Sequence, residues 1–156
     1  MTGKLQTELK QSKPFATREE EVYLNIQRTA EALLWKATEL LKPYDLTPTQ
    51  YNVLRILRGA EREGLICREI GERMVSRDPD VTKMLDRLEK RGLTVRERDH
   101  KDRRVIITRV TDEGLKLLKE LDPYVAGNTR ELLGHLGTRR LETLNELLEE
   151  AREKAL

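Results

Sequence analysis

The side chains with the clearest chemical potential lie between positions 66 and 109, where Lys and Arg number 13 against 9 Asp and Glu. Positions 1–65 carry 10 against 9 and positions 110–156 carry 7 against 10, so a chain of formal net charge +2 concentrates its positive charge in one segment. Lys90, Arg91, Arg96, Arg98, Lys101, Arg103, Arg104 and Arg109 are its densest part. Cations gathered in this way neutralise phosphate and release its counterions, and hydroxyl or guanidinium groups beside them can meet base edges. Bond-making chemistry has no comparable constellation. There is no paired nucleophile and base, no glycine-rich phosphate loop and no metal-ligand spacing, so an enzyme is not expected. His100 and His135 are far apart in sequence and read as surface residues. Cys67 is the single cysteine, which excludes an internal disulfide framework and any multi-cysteine metal site. No metal and no cofactor is expected.

The elements that must position these cations are mostly helical. Thr17-x-x-Glu20 has the form of a capping box, and Val22, Ile26, Ala30, Leu33, Ala37 and Leu40 recur at helical spacing, so a long first helix runs to about Lys42, where Pro43 stops it. Thr47-Pro48-Thr49-Gln50 combines an N-cap, proline at the first helical position and Gln at N3, opening a helix with Tyr51, Leu54 and Leu57 inward and its end near Gly59. A polar loop from Gly59 to Gly64 leads to a short helix from Cys67 to about Met74 carrying Ile70. Asp78-Pro79 is read as the cap and start of the next helix, with Val81, Leu85 and Leu88 inward and Gly92 at its end.

Leu93 to Arg98 and Arg104 to Val110 are rich in β-branched residues and flank a charged Asp99-His100-Lys101-Asp102-Arg103 tip, the pattern of a hairpin. Thr111 caps a further helix bearing Leu115, Leu118 and Leu121, which Pro123 is expected to kink or interrupt. Thr138 is read as the cap of the last helix, striped by Leu141, Leu144, Leu147 and Leu148. Residues 1–16 show no periodicity and read as an extended arm, with polar character from Met1 to Lys13 that does not fit a secretory signal. With no apolar run long enough to span a bilayer, a cytoplasmic chain without membrane contact is expected.

At 156 residues, 37% hydrophobic and 37% charged, the chain has room for one compact domain, or one with a dimerising extension. Helix, helix, helix and hairpin over 47–110 form the order of a winged helix-turn-helix, whose second tandem helix enters the major groove while the hairpin forms the wing. The flanking segments, 17–46 and 111–156, are expected to be dimerisation helices, because their leucine stripes exceed what a small winged domain covers. The fold class is therefore mainly α, with a two-stranded wing.

From about Val22 to Ala151 the chain resembles the MarR-type (multiple antibiotic resistance regulator) winged helix proteins. The resemblance is carried by Val81-Thr82-Lys83-Met84-Leu85-Asp86-Arg87-Leu88-Glu89-Lys90-Arg91-Gly92-Leu93, then Arg96, Asp102-Arg103-Arg104 and Thr111-Asp112-Glu113-Gly114. It implies a homodimer that binds a palindromic operator in double-stranded DNA and regulates transcription, as a repressor or an activator, with the repressor as the favoured reading. It also implies that Thr82, Lys83 and Arg87 face DNA from the recognition helix, and that Arg104, oriented by Asp102, enters the minor groove. Arg96 and Arg103 join them as expected DNA contacts. A bland alternative for Asp102 and Arg104 is simple stabilisation of the hairpin turn.

The chain departs from the family at Val75-Ser76-Arg77-Asp78, where members often have Gly and a small capping Ser. Val75 is poorly suited to a left-handed turn, and Arg77 is placed to reach phosphate. The family's effector pocket lies between the dimer helices and the winged domain and takes small aromatic or anionic molecules; Tyr23, Trp35 and Tyr51 are the aromatic candidates here, with core packing as their alternative. Two other functions compete: a winged helix serving as a protein-interaction module, which the cations Lys83, Arg87 and Arg104 oppose, and a redox-sensing regulator acting through Cys67.

Overall fold

The computed structural model describes residues 3–77 and 80–155. Among them are α1 (Lys4–Glu8), α2 (Arg18–Leu41), α3 (Pro48–Gly59), α4 (Cys67–Arg73), α5 (Val81–Lys90), β1 (Thr94–Arg98), β2 (Ile106–Val110), α6 (Asp112–Leu133) and α7 (Thr138–Glu153). The strands form an antiparallel hairpin in which Thr94 pairs with Val110 and Arg98 with Ile106. Helix α3 lies at the centre, touching α2, α4, α6 and β2. The core gathers Val53, Leu54 and Leu57 of α3, Ile70 of α4, Leu85 and Leu88 of α5, and Leu118 and Leu121 of α6.

Local hydrogen bonding explains the helix starts. The Thr47 hydroxyl accepts from the Gln50 N–H at 3.1 Å, and the Gln50 side chain accepts from the Thr47 N–H at 3.0 Å, satisfying two otherwise orphaned donors. Thr17 accepts from the Glu20 N–H at 3.1 Å, but the Glu20 carboxylate reaches one residue further back, to the Ala16 N–H at 2.9 Å. Thr111 accepts from the Gly114 N–H at 3.1 Å. Gly114 must be glycine for another reason, since a Cβ there would collide with the Leu93 carbonyl oxygen and lie 2.6 Å from a Val110 methyl. Helix α6 is thereby allowed to pass close to the base of the wing.

Several expectations are corrected. The segment before α2 is not wholly extended: α1 folds back, burying Leu5, and Glu8 pairs with Arg28 of α2 at 2.9 Å. The first long helix does stop at Pro43, as expected, with α2 ending at Leu41; what the sequence does not show is the 3-10 turn, Lys42–Tyr44, that follows and the left-handed Asp45 at φ +51°. The cap of α5 is Asp80, whose carboxylate accepts from the Lys83 N–H at 3.2 Å; the expected pair Asp78-Pro79 lies outside the described residues. Helix α6 runs unbroken through the exposed Pro123. Leu118 and Leu121 before the proline and Val125 after it pack on the core, which offsets the missing backbone donor. Thr138 is the first residue of α7, and Gly137, with φ +74°, occupies the cap position. The loop after α3 also does more than connect, because Leu65 exchanges hydrogen bonds of 3.0 and 2.8 Å with Thr108 and adds a one-residue rung to the wing.

The terminal helices are left with unpartnered apolar faces. Of the 24 residues of α2 only Leu41 is buried, and α7 buries none. Val22, Ile26, Leu34, Tyr124, Leu144 and Leu147 are all exposed.

Candidate nucleic-acid interface

Helix α5 divides by residue position into two poles. Met84, Leu85 and Leu88 are buried, while Thr82, Lys83, Arg87 and Lys90 are exposed. Asp80 fixes the start of this display: besides capping the helix, its carboxylate lies 2.6 Å from the Lys83 ammonium. That bond holds the Asp80 carboxyl below the ordinary carboxylate range and raises the Lys83 ammonium above its own. Lys83 thus stands at the surface with an anion beside it. Arg87 has no carboxylate partner at that range among the described ion pairs.

The break between α4 and α5 explains how Val75 replaces the small residue expected there. Met74 leaves α4 in an extended conformation, with ψ 141°, and buries its side chain. The Val75 N–H donates to the Asn52 side-chain oxygen at 2.9 Å. Among the described residues of this turn none has positive φ, so no glycine is required. Val75 and Arg77 are exposed. At the start of α4, the exposed Cys67 thiol lies 3.8 Å from the Thr82 hydroxyl.

In the wing, one carboxylate performs both tasks considered for it. Asp102 accepts from the Arg104 N–H at 3.0 Å, stabilising the turn, and from the Arg104 side-chain Nε at 3.2 Å, orienting the guanidinium. The backbone donor, followed by the side chain, holds the Asp102 carboxyl below its ordinary range. The Arg104 side chain is 91% exposed. Arg103 is exposed as well, and its carbonyl accepts from the Arg98 guanidinium at 3.0 Å. Arg109 is turned to other work, bonding the Arg62 carbonyl at 2.6 Å and Glu97 at 3.2 Å.

Arg96 differs most from its expected role. Its guanidinium contacts Asp86 at 2.6 Å and Glu89 at 2.5 Å, both on α5, and its backbone N–H donates to Glu89 at 3.0 Å. The side chain is 25% exposed, with its donors turned to the protein's own carboxylates. The hydrogen bond from Arg96 holds the Glu89 carboxyl below the usual range. Because the folded value is the lower one, the stabilisation from this pair is complete above the unfolded Glu value of about 4.3 and is lost as pH falls through the depressed folded value. An NMR titration should place the Glu89 midpoint below that of an ordinary Glu, and Arg96→Gln should return it there. An equal midpoint in both proteins would contradict the pairing.

The three aromatic candidates do not converge. Tyr51 is buried in the core, with the Arg55 guanidinium 6.0 Å from its ring centroid. Tyr23 is exposed, and its hydroxyl accepts from Gln27 at 3.1 Å. Trp35, also exposed, lines a cleft of about 720 Å³ with Lys42, Arg87, Lys90 and Arg91 and with the acids Glu39 and Asp45. Nothing in the spacing of these cations shows that the end of α2 lies beside the end of α5. Arg91 provides the connection, donating to the backbone carbonyls of Tyr44, at 3.0 Å, and Asp45. Among the described residues no group of three or more potential metal ligands occurs, and no helix is long and apolar enough to cross a membrane.

Residues 46–106 match the model of the MarR family, which spans α3 through the first residue of β2. The HTH-type transcriptional regulator FarR of Neisseria gonorrhoeae is 28% identical over 137 residues, 88% of this chain and 92% of that protein. The crystal structure of a MarR transcription factor from Planctomyces limnophilus is 38% identical, with a TM-score of 0.67 over 86% of this chain and 98% of that one. A mutant MarR from E. coli, solved in complex with operator DNA, is 26% identical with a TM-score of 0.76, over 84% and 93% of the two chains. The outward cations of α5, the wing and these likenesses agree: the chain belongs to the MarR family of winged helix-turn-helix DNA-binding transcriptional regulators.

Proposed function

We propose that the protein acts as a homodimeric repressor that reads a palindromic operator through α5 and the wing and is released by a small aromatic anion. The observation that carries the DNA reading is the exposed Lys83, Arg87 and Lys90 set, displayed opposite buried Leu85 and Leu88. Thr82 and Arg77 extend that surface, and Arg103 and Arg104 supply cations from the wing. Base edges are read from the helix, while phosphates fix register. The unpartnered faces of α2, α6 and α7 support two-fold assembly. The cleft lined by the exposed Trp35 indole, with four cations against the two acids Glu39 and Asp45, supports an aromatic anion as effector. Such a ligand weakens binding to the extent that it prefers a spacing of the two α5 helices that does not fit DNA.

Operator selection from random DNA followed by footprinting tests this reading. The expected site is an inverted repeat with half-sites about 34–36 Å apart. Binding weakens as salt rises, transcription from a promoter overlapping the site falls, and salicylate-type anions restore it. Protection of a single half-site or of a direct repeat would overturn the dimeric geometry. Indifference of the complex to aromatic anions would overturn the effector reading alone.

A further inference from the structure

We propose that Arg96 is a positioning residue that locks the wing to the recognition helix, so that wing and helix enter adjacent grooves in one fixed relation. The inference rests on the reading of Arg104 as a wing contact to DNA. Asp86 and Glu89 lie three residues apart and therefore share one flank of α5. Arg96 stands on β1, beyond the turn at Gly92, and closes on both carboxylates, while its backbone N–H adds a bond to Glu89. A planar guanidinium satisfies two carboxylates in one geometry, which a single ammonium on a flexible stem does not. The clamp thus fixes both the position of β1 and the direction in which it leaves α5. From there the hairpin register carries that orientation to the tip that holds Arg104.

This role and a direct DNA contact make opposite predictions for a variant that frees the guanidinium. Asp86→Ala with Glu89→Ala removes two negative charges and leaves Arg96 available. If Arg96 is a phosphate contact, that variant binds DNA more tightly. If Arg96 positions the wing, binding weakens, although the protein has become more positive.

The test uses the full-length protein and an operator duplex recovered by selection, prepared in two lengths. One extends past the wing, and the other is trimmed to the segment contacted by α5. The Asp86→Ala, Glu89→Ala variant is expected to lose about tenfold in affinity on the long duplex, the scale of one lost specific contact, and nothing on the short one. Minor-groove protection beneath the wing should disappear with it. Arg96→Lys keeps the charge without the fork and should show the same loss confined to the long duplex, which serves if the double variant is unstable. Tighter binding on both duplexes, or equal weakening on both, overturns the proposal. Arg104→Ala is measured alongside. If it costs nothing on the long duplex, the wing reading fails and the proposal falls with it; if it costs affinity while the clamp variants do not, the clamp alone is refuted.

Discussion

Arg87→Ala is expected to weaken operator binding by about 1–3 kcal/mol in each half-site and to relax the preference for the base it reads. Its neighbour Lys83 is expected to matter less. The Lys83 ammonium already lies 2.6 Å from Asp80, so reaching DNA requires giving up that partner, and the carboxylate left behind repels phosphate. Arg87 carries no such cost. Arg104→Ala should differ in kind: the loss should be greatest on A·T-rich flanks, where a narrow minor groove concentrates negative potential. Binding measured across a panel of base substitutions and salt concentrations separates these behaviours. An Arg87→Ala protein that weakens equally on every sequence would be a phosphate contact and no base reader. An Arg104→Ala protein with unchanged affinity and salt slope would remove the wing from the interface.

Those expectations depend on how much of the interface is local in sequence. The start of α3 was legible because both bonds of its capping box close within four residues, Thr47 to Gln50. The tip of the wing was legible for the same reason, with Asp102 and Arg104 two residues apart. Arg96 reads in sequence as a DNA contact because a run of cations shows charge but not which acids fold against it; its partners lie seven and ten residues upstream, across a helix end. Asp78, followed by proline, reads in sequence as the cap of α5, although Asp80 has the same chemistry and performs it. Local composition cannot rank two aspartates that differ only in where the backbone turns. Pro123 reads as a helix breaker because its cost is local while the packing that offsets it, from Leu118, Leu121 and Val125, is tertiary. The cleft beside Trp35 was out of reach, since it exists only where the end of α2 meets α5. Periodicity marks the apolar stripe of the first long helix, yet half of it, Val22, Ile26 and Ala30, stays exposed in the single chain.

The exposed leucines of α7 carry the second large effect: if the protein is the proposed dimer of about twice 18.2 kDa, Leu144→Glu with Leu147→Glu is expected to convert it into a monomer. Helix α7 spans 16 residues and buries none of them within its own chain. Isolated helices of that length are marginal in water, and the exposed Leu144 and Leu147 can pack on the exposed Val22, Ile26 and Tyr124 of a second copy. Two-fold symmetry places four leucines at stake. Burying each stabilises by about 1.5–3 kcal/mol, against the roughly 8 kcal/mol that hold a micromolar dimer together. Operator binding should fall by about 10²- to 10⁴-fold, because each half-site would have to capture its winged domain without the high effective concentration the dimer provides. A single half-site duplex should be bound almost as before, since Lys83, Arg87 and Arg104 are untouched. Light scattering and binding to one-half-site and two-half-site duplexes measure both effects. A variant that remains dimeric with full operator affinity would show that α7 does not contribute to the dimer. If the wild-type protein is itself monomeric at micromolar concentration, two-fold operator recognition is refuted.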